Sequence, residues 1–387
     1  MATRTLKATA VGSVSALAMA AAMNANAATF EAGDTEVTLE GYIKGDMIYD
    51  VDDRLGWFAN PGNIGSDEVD GHFRFNVGQS RFGFRTVTPT DNGDLELFVN
   101  MDFGADDGTS PRLREAYGQW NNVLVGRTWS NFNTFVGTPF TLDFTNAIGQ
   151  PGQDLQQQVR LTSDDGRFAV ALEANDNALA FPSGWANVNP DVTIGPDAEE
   201  GEDGQVARVP DLTFSYQDSF QGVNVGAGAM VRELRYDDGT EDDSTVGYGL
   251  YLAANMEVMP GTTIRGAVTG GDGIGNYNYF QPGAAAVFVD GSLETLESIG
   301  GTVSASQQMG PGEATLAYAY AYADWDDVVD AGGDAFDDTW QSVYLNYAWQ
   351  PADRITYGAE VGYHKRTPYE GSSEDAVRVM ASAIYNF

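Results

Sequence analysis

Beyond residue 27 the chain holds 16 Arg but only 2 Lys, Lys44 and Lys365. Arginine presents a planar, permanently charged fork that grips carboxylates through paired hydrogen bonds and stacks on aromatic rings. Many of these arginines stand out of phase with apolar neighbours. Arg81 and Arg85 alternate with Phe82 and Phe84, Arg160 with Val159 and Leu161, and Arg265 lies between Ile264 and Gly266. Arg232 follows Met230, while Arg354 and Arg378 oppose the apolar sets of the last two expected strands. Arg114 and Arg127 fall in early strands whose faces the sequence does not phase. Such a set could bind carboxylated solutes in a water-filled lumen. It could equally offset acids on the same wall and hold that wall rigid. Catalytic chemistry has little to build on: there is no G-x-S-x-G elbow and no Walker lysine. The two histidines, His72 and His364, leave an outer-membrane lipase as the enzymatic alternative.

The elements that would position these side chains are strands. Leu316, Tyr318, Tyr320 and Tyr322 alternate with alanines, and Ile355, Tyr357, Ala359, Val361 and Tyr363 alternate with Thr356, Glu360 and His364. Period-two patterning of this kind marks strands with one apolar and one polar face. Expected strand starts are Glu36, His72, Asp94, Arg112, Val123, Gln156, Arg167, Val209, Gly222, Thr245, Thr262, Leu293, Glu313, Thr339, Arg354 and Ala376. Short turns such as Asn121-Asn122 and Pro260-Gly261 alternate with long acidic connections at residues 50–70, 176–205, 237–243, 271–291 and 326–338. An even number of strands with one tight rim and one looped rim predicts an all-β fold: a closed, 16-stranded antiparallel transmembrane β-barrel. Closure satisfies every backbone group within lipid. Several patterns run close to the ~9–11 residues needed to cross a bilayer. A secreted β-sandwich is the competing fold.

Composition narrows the function further. Of the 387 residues, 20 are Lys or Arg and 56 Asp or Glu, a net charge of −36, with no cysteine. An anionic field of this size argues against nucleic-acid binding, and disulfides and thiolate zinc sites are impossible. No apolar run reaches the ~18 residues of a membrane helix. Residues 1–27 read as a cleaved signal peptide. Arg4 and Lys7 precede an apolar stretch, and Ala25-Asn26-Ala27 places cleavage between Ala27 and Ala28. Residues 28–387 then form a single barrel domain. The chain ends on alternating Val377, Val379, Ala381, Ala383, Tyr385 and Phe387. This resembles the terminal strand of Gram-negative outer-membrane proteins, in which Phe387 and Tyr385 would be the signal read by the barrel assembly machinery.

Residues 130–153 are the best candidate for a loop folded into the lumen. They carry Phe132, Phe135, Phe140, Leu142 and Phe144 but a single acid, Asp143. An outward loop would not expose so many aromatics, so Asp143, Thr141 and Asn146 are expected to face the pore. The alternative is an exposed loop packed on a neighbouring subunit. Acidic runs form the remaining constellation. Asp237, Asp238, Glu241, Asp242 and Asp243 could hold calcium through hard oxygen ligands, or form a solvated surface, or bridge to lipopolysaccharide through divalent ions. No other cofactor is expected.

Specific stretches carry a resemblance to the DcaP-like porin family. They are Leu39-Glu40-Gly41-Tyr42-Ile43-Lys44-Gly45-Asp46, Arg112-Leu113-Arg114-Glu115-Ala116-Tyr117-Gly118, Leu124-Val125-Gly126-Arg127-Thr128-Trp129-Ser130-Asn131-Phe132 and Thr141-Leu142-Asp143-Phe144. The resemblance covers the first third of the chain. It implies a homotrimer in the outer membrane, a third loop folded into the lumen, and passage of small, often carboxylated, solutes. The bets for the binding ladder are Arg81, Arg85 and Arg160. A surface or adhesin barrel with a closed lumen is the competing function.

Overall fold

The computed structural model describes residues 28–66, 68–105, 110–152, 154–174, 179–180 and 205–387. The signal segment, Ala27 included, and most of the connection at 176–205 lie outside the described residues. Sixteen antiparallel strands close into one barrel. The first five are β1 (Thr35–Asp50), β2 (His72–Asn76 continued by Arg81–Thr90), β3 (Gly93–Ala105), β4 (Ser110–Trp120) and β5 (Val123–Trp129). Next come β6 (Leu155–Thr162), β7 (Phe168–Glu173), β8 (Asp211–Phe220), β9 (Val223–Asp237), β10 (Asp242–Met259) and β11 (Thr262–Asp272). The circuit ends with β12 (Glu297–Met309), β13 (Gly312–Ala323), β14 (Asp337–Ala352), β15 (Ile355–Pro368) and β16 (Glu374–Asn386). β16 returns to β1 with Asn386 opposite Tyr42, which closes the ring. A short strand, Ala28–Ala32, folds back on β1 and extends the same edge below the end of β16.

The apolar face points outward. On β10, Val246, Tyr248, Leu250 and Leu252 are exposed while alternate residues are buried, and Leu250 is 65% exposed. A soluble sandwich would bury that set, so the sandwich alternative is excluded. Tight turns at Asn121, Gln221 and Arg354, all with positive φ, line one rim. By the usual asymmetry of outer-membrane barrels this is the periplasmic rim.

Three long connections depart from the expected exposed loops. The one at 237–243 is a tight hairpin, because β9 and β10 pair out to Asp237 and Asp242. The β1–β2 loop (L1) buries Leu55, Ala59 and Ile64, and the β11–β12 loop (L6) buries Ile274, Tyr277 and Ala284 to Val289. Their apolar residues outweigh the acids at their ends, so they turn into the barrel rather than into water.

Candidate functional site: a loop-lined lumen

The β5–β6 loop (L3, residues 130–154) leaves β5 and crosses the lumen to the far wall. Its root is held by Glu173, whose carboxylate accepts from the Ser130 hydroxyl at 2.8 Å and the Asn131 amide at 2.6 Å. Ala147 and Ile148 pack against Ala317, Ala319, Ala321, Trp340 and Tyr344 of β13 and β14. The tip is fixed by charge. Glu360 of β15 accepts the amides of Leu142 at 2.8 Å and Asp143 at 3.0 Å. Lys44 Nζ donates to the Leu142 carbonyl at 2.6 Å.

Asp143 therefore does not face the pore. It is 3% exposed and accepts from the amides of Ala59 and Thr145 and from Arg378 Nη1 at 2.9 Å. Burial alone would favour its protonated form. Arg378 and the two amides outweigh burial and hold the carboxyl below its ordinary range. Thr141 and Asn146 are half-buried, and the Thr141 hydroxyl donates to Asn146 Oδ1 at 3.3 Å. The Asn146 carbonyl accepts from Tyr344 at 3.1 Å. The expected trio is thus a clasp between L3, L1 and the wall. An acid at the tip of an apolar loop looked solvent-seeking, but a buried arginine 235 positions away satisfies it.

The arginines divide by partner. Arg378 pairs with Asp50 at 2.7 Å as well as Asp143, and Arg232 with Asp211 at 3.2 Å. Arg85 is neutralised by Glu40 at 2.9 Å and by Glu96, and its guanidinium lies 4.3 Å over Phe98. Arg114 pairs with Asp102 at 3.1 Å. It is inward-facing because a bulge sets Asn100 against Glu115 and Met101 against Leu113. For these residues the wall-holding alternative is correct. Arg127 is on the outer face, sharing the phase of exposed Val125 and opposing Ala116 and Gln157. Arg354 is an exposed residue of the β14–β15 turn with φ of 67°, because β14 runs on to Ala352. Neither lines the pore.

Three of the remaining inward arginines, Arg81, Arg160 and Arg265, form no ion pair among the described residues. Arg81 has no hydrogen bond or ion pair among the described residues, and its guanidinium lies 5.7 Å over the Tyr42 ring. Arg160 donates only to neutral acceptors, Gln158 Oε1 at 2.8 Å and the Trp129 carbonyl. Arg265 is enclosed beneath L3.

Sequence reasoning missed Arg112, which grips Asp102 at 2.8 and 3.2 Å and lies 5.5 Å over Phe144 of L3. Its alternation with Leu113 was the available signal, obscured by the bulge. L6 was also missed as a lumen element. Gly149 and Gly152 of L3 donate to the carbonyls of Tyr279 and Tyr277, and Tyr279 donates back to Gln150. Four of the five acids around 237–243 have partners. Asp238 accepts from the amides of Thr240 and Glu241, Asp237 and Asp242 pair with Arg235, and Asp243 accepts from Leu293. Among the described residues no cluster of three such ligands could hold a metal.

Residues 6–189 match the DcaP outer membrane protein family. That match spans just under half of the chain. The outer membrane channel DcaP of Acinetobacter baumannii has the same fold, with TM-score 0.80 and 23% identity over 93% of this chain and 100% of that one. OmpT, an outer membrane protein of Vibrio cholerae, gives 0.58 at 13% identity over 93% and 100%. An anion-selective porin from Comamonas acidovorans gives 0.56 at 14% identity over 91% and 100%. No curated protein sequence matches. The barrel described here has the fold of these outer-membrane porins and channels.

Proposed function

We propose that this barrel is a DcaP-type outer-membrane channel that passes small carboxylated anions, with Arg81 and Arg160 as the residues that attract them. The observation that carries the reading is their lack of acidic partners on a wall whose other lumenal cations are mostly neutralised. Near charges dominate in a narrow passage, since Coulomb energy rises as distance and effective dielectric fall. The acidic exterior acts from farther away and is screened over about 8 Å at physiological ionic strength. An anion therefore meets a repulsive mouth and an attractive wall. The rim acids serve as a solvated surface that associates with lipopolysaccharide through divalent ions. The chain works as a homotrimer, and its terminal strand is what the assembly machinery reads.

The test is the reversal potential under a salt gradient. Replacing Arg81 and Arg160 together by Ala should shift it toward cation selectivity. The shift should be clearest at about 0.15 M salt, where the mouth is screened, and smaller near 0.01 M, where the Debye length is about 30 Å. An unchanged potential at both concentrations overturns the assignment. Absence of current steps from the wild-type protein would favour the closed, adhesin-type barrel.

A further inference from the structure

Among the described residues four arginines are almost fully enclosed: Arg114, Arg232, Arg265 and Arg378. Three of them face aspartates within 3.2 Å. Arg265 of β11 does not. It is 1% exposed, and among the described residues it forms no ion pair and a single side-chain hydrogen bond, from Nη1 to Ser306 Oγ at 2.7 Å. Its Nε has no partner. Directly across the ladder stands Ser304, whose buried hydroxyl also has no partner. Thr315 Oγ1 lies 3.2 Å from Ser306 Oγ and supplies a further hydroxyl.

L3 covers this group of donors. The Val136 carbonyl accepts from Asn255, which opposes Arg265 on the other side, and the Gly137 carbonyl accepts from Thr302. Gly137 sits so close to β11 that a Cβ there would lie 2.4 Å from the Gly266 carbonyl oxygen. Glu313 acts on Arg265 only from beyond ion-pair distance, and it accepts from Gln308 at 2.8 Å. A buried cation with spare donors and no counter-charge is unfavourable. A guanidinium edge beside hydroxyl groups is the donor set that a small oxyanion satisfies.

We infer that Arg265, Ser304 and Ser306 form an oxyanion site beneath L3, taking one carboxylate or phosphate group. Its occupant neutralises the enclosed cation and ties β11 and β12 to the seat of L3. The site deepens the anion reading but uses a different residue and a different measurement. Loss of selectivity at Arg81 and Arg160, and loss of binding at Arg265, can occur separately.

The experiment follows the thermal midpoint of the purified full-length barrel in detergent. Sodium acetate or sodium phosphate is added at constant ionic strength against sodium chloride. A native-state ligand raises the midpoint saturably. The wild type should respond to at least one of the two, and the lower half-saturation identifies the group. Arg265→Met should abolish the response without lowering the midpoint in chloride, and Ser304→Ala should weaken it several-fold. If Arg265→Met fails to assemble, Ser304→Ala carries the test alone. A flat wild-type response to both anions, or an equal response in the variants, overturns the site.

Discussion

Arg81 and Arg378 show why residue type alone did not assign role. Both are inward arginines on strands, yet Arg378 is held by two aspartates and Arg81 by none among the described residues. Removing one partner of a buried ion pair leaves the others uncompensated, at a cost of about 3–5 kcal/mol. Arg378→Met should therefore lower stability by roughly that amount in denaturant unfolding, whereas Arg81→Ala should change selectivity and leave stability nearly unchanged. The Asp143 carboxyl carries a pH signature. Because its folded-state value is lowered from 3.8, the stabilisation is fully present above that value. It is lost as pH falls through the lower folded value. Thermal midpoints measured from pH 6 downward should hold to about pH 4 and then fall. Asp143→Asn should start lower and lose that part of the slope.

At the scale of elements, the alternating pattern located the strands because lipid on one side and water on the other impose a period of two. The expected start at Val123 coincides with that of β5, and the expected His72 with that of β2. Closure depends on a close approach that the pattern does not reveal. At Gly41 of β1 a Cβ would lie 2.4 Å from the Arg81 carbonyl oxygen and 2.5 Å from the Phe387 ring. The Phe387 amide donates to the Gly41 carbonyl at 3.2 Å. The final residue is thus part of the seam as well as the expected assembly signal. Gly41→Val should reduce the compact, heat-modifiable fraction in unheated gels while synthesis continues. Normal levels of compact barrel in that variant would show that the seam tolerates a side chain.

At the scale of the whole molecule, the low part of the wall is marked out by its short strands and polar outer face. β5, β6 and β7 have 7, 8 and 6 residues, fewer than the ~9–11 that span a bilayer. Their outer face carries Arg127 and Gln157 beside Ala116. An arginine facing hydrocarbon at the midplane costs about 2–4 kcal/mol, so this face suits a second copy of the chain better than lipid. Arg127→Leu should weaken the proposed trimer, seen as more monomer in unheated samples and less inter-subunit crosslinking. A trimer left intact with a raised melting temperature would mean that Arg127 meets lipid instead.

The local sequence by itself determined the strand period, the alternation of tight and looped rims, the inward course of L3 and the even closure of an all-β barrel. These depend on contacts between neighbours in the chain and on the two solvents the wall separates. Only the tertiary structure decided which charges are free. Asp143 meets Arg378 across 235 positions, and Arg114 turns inward through a bulge. L1 and L6 enter the lumen because their buried apolar residues find partners on L3 and the wall. Pairing of buried charges is settled by distances a few ångströms long, between residues that the chain order keeps far apart.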